Sequence, residues 1–368
     1  MIVTVDSTKS LRQFVYFIKT LYKDNPHYVF PLFKVQMKEL KKAVLADKDY
    51  TAILSVEQNE VRGRLLYTYS TSKDKDEKIC FFSFFDAVDD MKVAKELFDR
   101  MESDMKRDGI TYAEGTYTPY DPDTRRGVLV NGFDIDPTLF TSYNYQYYQK
   151  LIEHCGYRKK IDTVSLGVNT GHENGKLLKA LAAMFFRRHD VTIRPLDYSK
   201  LDQQIDAIHH ILQKATNELV YQEAPSIEMV RNVAKNLKFF INPDFIPIAF
   251  ENNTGEPIGF CLALPDFNQL FKKTKGRIKP IYLLLNKQKI NKVRGILQYV
   301  VPKYQGTGLI GALFNSIYEN FPKYGITEFE AGTMLENNLR PIKVFQRLGG
   351  KIIKTYRIFG KDLNQDDL

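Results

Sequence analysis

Tryptophan is absent from this sequence, cysteine occurs three times and histidine six times. The cysteines, Cys80, Cys155 and Cys261, are scattered, with neither the pairing of a disulfide framework nor the spacing of metal ligands. A reducing cytoplasm is the expected compartment, and no metal site is expected. The histidines form no Ser-His-Asp or Cys-His constellation, so no nucleophilic triad can be read. No run approaches eighteen uncharged apolar residues, and no transmembrane helix is expected. The opening stretch MIVTVDSTKSLRQF lacks the charged-then-apolar order of a secretory signal.

Apolar residues make up 43% of the 368 positions and charged residues 26%, the balance of a soluble globular protein with room for two domains. The formal charge of +9 calls for an anionic partner: a phosphorylated cofactor, nucleic acid or an acidic membrane surface. Charge alone does not choose among them. The 22 tyrosines and 25 phenylalanines supply core volume as well as stacking surface.

The chain repeats itself. "DGITYAEG" (108–115) has a near-copy in "YGITEFEAG" (324–332), with Gly109 and Gly325 lying 216 positions apart. The same offset sets "FFSFFDAVDDMKVAKELF" (81–98) against "LQYVVPKYQGTGLIGALF" (297–314), each an apolar strand, a short turn and an amphipathic helix. Farther on, "YYQKLIEHCGYRKKIDTVSL" parallels "IKVFQRLGGKIIKTYRIF", a helix stopped by glycine and followed by a strand. These matches predict two related domains, 1–166 and 190–363. Residues 167–189 join them, beginning Gly- and Asn-rich and continuing as the helix "KLLKALAAMFFRR", expected to pack between the domains.

In the second half Leu201, Ile205, Ile208, Leu212, Ala215 and Leu219 mark one apolar helix face. "FIPIAF" and "IGFCLAL" flank the turn "ENNTGEP" as a hairpin, and "VRGILQYVV" is the next strand. It ends at Pro302 and passes through "QGTGLIG", after which helical spacing begins near Thr307 or Gly308. A helix start leaves backbone N–H groups without partners and carries the positive end of the macrodipole. Glycines at 306 and 308 remove the Cβ atoms that would hold a phosphate away, so the turn can cradle a pyrophosphate. It is neither a Walker motif nor the dinucleotide fingerprint. A tight turn without ligand is the competing reading.

"VVPKYQGTGLIGALF" resembles the cofactor loop of the GCN5-related N-acetyltransferases, which has the form Arg/Gln-x-x-Gly-x-Gly/Ala after a strand and a proline. Gln305, Thr307 and Gly308 fall into place, while Ile310 stands where Gly or Ala is usual. "ENNLRPIKVFQRLGG" is similar to the family's closing helix, with Asn338 matching its leading Asn. The resemblance covers most of 190–363. It implies an α/β fold built as two tandem acyl-CoA N-acyltransferase-like domains, each a mixed sheet. It also implies acetyl-CoA or another acyl-CoA as co-substrate. The backbone of Gln298, Tyr299 and Val300 would meet the pantetheine arm. Gln305, Gly306, Thr307, Gly308, Leu309, Ile310 and Gly311 would form the pyrophosphate turn, and Asn338 would lie near the same cofactor.

In the first half Asp89 and Asp90 replace Gln305 and Gly306, and Lys92 replaces Gly308. Aspartates cap helices and repel phosphate, so this copy is expected to be degenerate and to form one wall of a shared cleft. The loop 116–148, with Arg125, Arg126 and many aromatics, stands where the second copy has only "TMLENN"; it reads either as a substrate wall or as interdomain packing.

The family's usual thiolate acid is a Tyr whose position is Phe345 here. Tyr299 and Tyr356 are candidates for that proton, and Glu330 and Glu336 for a base; no catalytic residue is assigned. The insertion "NQLFKKTKGRIKPIYLLLNKQKINKVRG" is basic and apolar, and three readings stay open for it: a lid, contact with an anionic membrane surface through 271–292, or a solvated helix packed on its domain. No nucleic-acid module is recognisable. The expected function is transfer of an acyl group, acetyl first, from acyl-CoA to a small amine. The alternative is a catalytically silent acyl-CoA-binding or scaffolding protein of the same fold.

Overall fold

Each half of the chain lays down the same series of elements. In the computed structural model, which describes residues 1–72, 75–117, 126–216 and 225–364, the first series starts with β1 (Ile2–Thr4), α1 (Thr8–Leu21) and α2 (Phe33–Leu40). It continues with β2 (Thr51–Glu57), β3 (Glu60–Ser72), β4 (Glu77–Ala87), α3 (Met91–Arg107) and β5 (Tyr112–Gly115). After a short extra strand, β6 (Val128–Asn131), it closes with α4 (Tyr147–His154) and β7 (Arg158–Asn169). A connecting helix, α5 (His172–Phe186), leads to β8 (Val191–Pro195), α6 (Leu201–Thr216), α7 (Ile227–Leu237), β9 (Pro247–Glu251) and β10 (Pro257–Pro265). The basic insertion folds as α8 (Asn268–Thr274) and α9 (Pro280–Asn286). Then come β11 (Lys292–Val300), α10 (Leu309–Tyr318), α11 (Phe321–Tyr324), β12 (Glu328–Leu335), α12 (Leu339–Arg347) and β13 (Lys351–Asp362).

Local chemistry explains these segments. Ser7 and Ser10 form a reciprocal capping box at the start of α1, whose Leu11, Phe14, Val15 and Ile18 are buried at helical spacing. The β9–β10 hairpin turns where Gly255 adopts a φ of 71°, open to glycine and strained for most other residues. The apolar face read on α6 is buried at Ile205, Leu212 and Ala215, while Leu219 and Arg125 lie outside the described residues. α5 was expected between the two domains, but its buried side packs into the core of the second repeat alone. Leu178, Ala182 and Phe185 are buried in the core that also holds α10, whereas Leu177, Leu181, Met184 and Phe186 are exposed.

The strands form one mixed sheet in the order β1-β2-β3-β4-β5-β13-β7-β12-β11-β10-β9-β8, with β6 also pairing β13. The two repeats exchange their last strands. β7, closing the first series, pairs antiparallel with β12 of the second, and β13 pairs antiparallel with β5 of the first. β7 and β13 lie against each other over most of their length. Two large apolar clusters sit on either side of this seam, one holding Phe82 and Phe98 and the other Phe245 and Phe260. Each fully buried ring stabilises the fold by roughly 1.5–3 kcal/mol.

Candidate active site

The site begins where two parallel strands part. β11 pairs β12 from Lys292↔Glu328 to Gly295↔Ala331 and no farther. Beyond that point β10 holds β11, with Phe260 opposite Tyr299 and Cys261 opposite Gln298, while β7 holds β12 through Val164 and Thr163. The pull of different neighbours opens a wedge. Along it β11 presents an edge from Ile296 to Val300 that no strand covers among the described residues, and backbone N–H and C=O groups on such an edge require a partner. Gln298 sends a buried Oε1 with no hydrogen-bond partner among the described residues. Tyr299 stacks on Phe260 at 5.9 Å, and Val300 is buried in the core.

At the end of β11 the chain makes one helical turn over Pro302–Tyr304, and Gln305 donates from Nε2 to the Val300 carbonyl at 3.4 Å. Gly306 and Gly308 follow with φ of 77° and 100°, and a Cβ added at either would meet nothing within 4 Å. Thr307 turns its hydroxyl back to the Tyr304 carbonyl at 2.7 Å. Gly308 is the N-cap of α10, and among the described residues no side chain caps this helix. The amides of Leu309, Ile310 and Gly311 are those that a helix start leaves without intrahelical partners, and Gly306 and Gly308 just before them are exposed. Ile310 packs partly into the core. One neighbouring group of cations is already neutralised: Lys303 and Tyr304 bind Glu251 and hold its carboxyl down at about 2, and Lys214 pairs with Glu256.

The floor of the wedge is ionic. Arg294 is 1% exposed; it donates from Nε to the Gly332 carbonyl at 3.1 Å and from a terminal nitrogen to the Leu139 carbonyl. Glu330 and Lys354, each 1% exposed, pair at 2.9 and 3.1 Å, and Thr138 donates to the same carboxylate at 3.1 Å. Asp266 accepts from the amides of Leu139 at 2.9 Å and Asn268 at 3.2 Å. Segment 137–141, from the long first-half loop, therefore lies across the polar face of the second repeat.

Burial lifts the Asp266 carboxyl to about 6, with the Glu330 charge adding to the effect. A carboxyl raised above its unfolded value of about 3.9 stabilises the fold most at low pH. That contribution is lost as pH climbs from about 4 to about 6. Asp266→Asn keeps the accepting oxygen and removes the charge. Relative to pH 4, the variant is expected to gain on the wild type by ~1–3 kcal/mol at pH 8. Denaturation midpoints at the two pH values measure this, and parallel pH profiles would contradict it.

The predicted residues fall into two groups. Gln298, Tyr299, Val300 and the turn from Gln305 to Gly311 are contiguous around the mouth of the wedge. Asn338 is an exposed residue at the start of α12 whose side chain makes no capping bond. Phe345 is a core residue, edge-on to Phe314 at 5.0 Å. Glu336 accepts from the Asp162 amide and pairs with Lys159, and Glu330 is locked to Lys354. Tyr356 is fully buried, which raises its hydroxyl far above the usual range. The sequence reading missed Arg294, Lys354, Thr138 and Asp266. A charged residue inside an apolar strand, as in "KIIKTYRIF" and "VRGILQYVV", was the available signal.

The corresponding place in the first repeat is filled. Asp90 caps α3 by accepting from the Lys92 amide at 2.8 Å. Tyr147 donates to the Ala87 carbonyl at 2.8 Å, and the Ala87 amide donates to the Tyr148 hydroxyl at 3.2 Å. Asp86, bound by Arg64, Tyr22 and Tyr148, completes the plug.

No family model matches the chain. It is similar to Protein YghO of Escherichia coli strain K12, 25% identical over 373 residues that cover 96% of this chain and 93% of that one. It is also similar to the Bacterial ceramide synthase of Caulobacter vibrioides, at 27% identity over 77% of this chain and 75% of that one. Among solved structures, a tandem GNAT protein from the clavulanic acid biosynthesis pathway superimposes with a TM-score of 0.56 at 10% identity, covering 100% of this chain and 99% of that one. With its doubled element order, its wedge between parallel strands and its glycine turn, the chain carries the tandem GCN5-related N-acetyltransferase (GNAT) fold.

Proposed function

We propose that the protein is an acyl-CoA-dependent N-acyltransferase whose single cofactor site lies in the second repeat. The observation that carries this reading is the uncapped start of α10 behind Gly306 and Gly308, open to solvent where a diphosphate would need donors. Acyl-CoA would lie along the free edge of β11 at Gln298, Tyr299 and Val300, with its diphosphate on the amides from Gly306 to Gly311 and Asn338 nearby. The amine nitrogen attacks the thioester carbonyl, the C–S bond breaks, and the amine loses a proton as the thiolate gains one. Phe345 supplies no proton, so water or a hydroxyl must carry it.

Acetyl transfer to a small amine is the simplest form of this reaction. A long-chain amine acceptor is favoured by one observation: Leu262 and Ile296, on the strands beside the wedge, belong to the same apolar cluster as Phe140 and Leu283. The likeness to a protein named a ceramide synthase supports the same acceptor, since ceramide is an N-acylated long-chain amino alcohol. A thiol-release assay decides. Acetyl-CoA and palmitoyl-CoA are offered with small amines and with a long-chain amino alcohol. Turnover with either class of acceptor supports the proposal. Binding of acyl-CoA without turnover on any acceptor would replace it with the silent reading.

A further inference from the structure

The basic insertion is held in place and yet turns an apolar face outward. Leu270 and Phe271 of α8 are buried, and Lys272 pairs with Asp136 of the first repeat. Gly276 sits with φ of 75° against Phe33, whose amide donates to the Gly276 carbonyl at 3.3 Å. Leu283 of α9 is buried in the apolar cluster of Phe267 and Ile296. Its neighbours are not. Ile281, Leu284 and Leu285 share one helix face at 75%, 55% and 64% exposure, and Ile278 just before them is at 45%. Residues 272–292 carry eight Lys or Arg and no Asp or Glu, in a chain of net charge +9. Lys273, Lys275, Arg277, Lys279, Lys287 and Lys289 are exposed around the apolar face, and none pairs with a carboxylate among the described residues.

An apolar face ringed by cations matches the surface of an anionic phospholipid bilayer, where the aliphatic side chains enter the acyl boundary and the lysines meet the headgroups. A protein partner of ordinary composition would leave this one-sided charge unanswered. α9 is 7 residues long, too short to cross a bilayer, so this face would lie on the membrane surface. We infer that α9 and its lysine collar dock the protein on anionic membranes. The apolar cluster beneath α9 is continuous with the strands beside the wedge, so docking would bring the acceptor side of the site towards the lipid. The inference does not depend on acyl transfer, because the binding it predicts needs no coenzyme.

The test is sedimentation of the full chain with mixed phosphatidylcholine–phosphatidylglycerol vesicles and with phosphatidylcholine alone. Binding to the mixed vesicles is expected to be on the order of tenfold or more tighter, and to weaken as salt rises. Ile281→Asp/Leu285→Asp is expected to lower affinity by about tenfold or more with an unchanged Tm, and Leu284→Asp serves as a second variant if the double one unfolds. Lys279→Glu/Lys287→Glu is expected to remove most of the salt-sensitive component. Failure to bind mixed vesicles overturns the inference. So does wild-type binding by the folded aspartate variants, which would mean adsorption by charge alone. If those variants instead abolish self-association in sedimentation velocity while vesicle binding persists, the face belongs to a second copy of the chain.

Discussion

Gly308→Glu is expected to weaken acetyl-CoA binding by about 100-fold or more, equivalent to about 2.7 kcal/mol, in calorimetry. Two effects of the substitution separate cleanly. A φ of 100° strains any L-residue, by ~1–3 kcal/mol, and that strain is present with or without ligand, so it appears as a lower Tm. The carboxylate acts on the ligand alone, because the Cβ direction at this residue is open space and no protein atom is displaced. Gly308→Ala carries the strain without the charge and should lose only a few-fold in affinity. Equal affinity in the two variants would mean that no diphosphate lies at this turn, and the proposed function would fall with it.

Lys354→Met is expected to destabilise the protein by about 3–5 kcal/mol, because it leaves the Glu330 carboxylate 1% exposed and without its counter-ion. Thr138 donates one hydrogen bond to that carboxylate and cannot offset a buried charge. A drop in Tm of roughly 10 °C follows from the size dependence of thermal unfolding. The double variant Lys354→Met/Glu330→Leu removes both charges and should recover most of the loss, since a well-packed apolar pair can match a buried ion pair. A double variant as unstable as the sum of the singles would show that the pair is not acting as a unit. Lys354→Met losing less than ~1 kcal/mol would show that water reaches the floor of the wedge.

The doubling of the fold was legible because strand-turn-helix units leave their period in local apolar spacing, as in residues 81–98 and 297–314. The glycine turn was legible for the same local reason: Gly306 and Gly308 are needed by the backbone at their own positions. The exchange of β7 and β13 was not legible. A helix, a glycine and a strand read alike whichever neighbour the strand later joins, and register is settled by residues more than a hundred positions away. The ionic floor was missed because Arg294, Glu330 and Lys354 come from three separate strands, Asp266 from the turn after a fourth, and Thr138 from a loop of the other repeat. Glu330 looked like a cleft base while its partner was unknown. The basic insertion was read as one unit, yet the fold splits it into a buried helix and an exposed one. That division depends on Phe33 and Asp136 of the distant first half, which no pattern within 271–292 contains.

The traded closing strands set a timetable for synthesis. β5 cannot receive this neighbour until β13, made long after it, has left the ribosome. Until then the first repeat holds an open sheet edge, and β7, already made, waits for β12 and β13. Completion of the earlier-made repeat is thereby tied to completion of the one carrying the glycine turn. Neither can close its sheet from its own residues, so a gene cut between them would yield two fragments with sticky edges rather than two proteins.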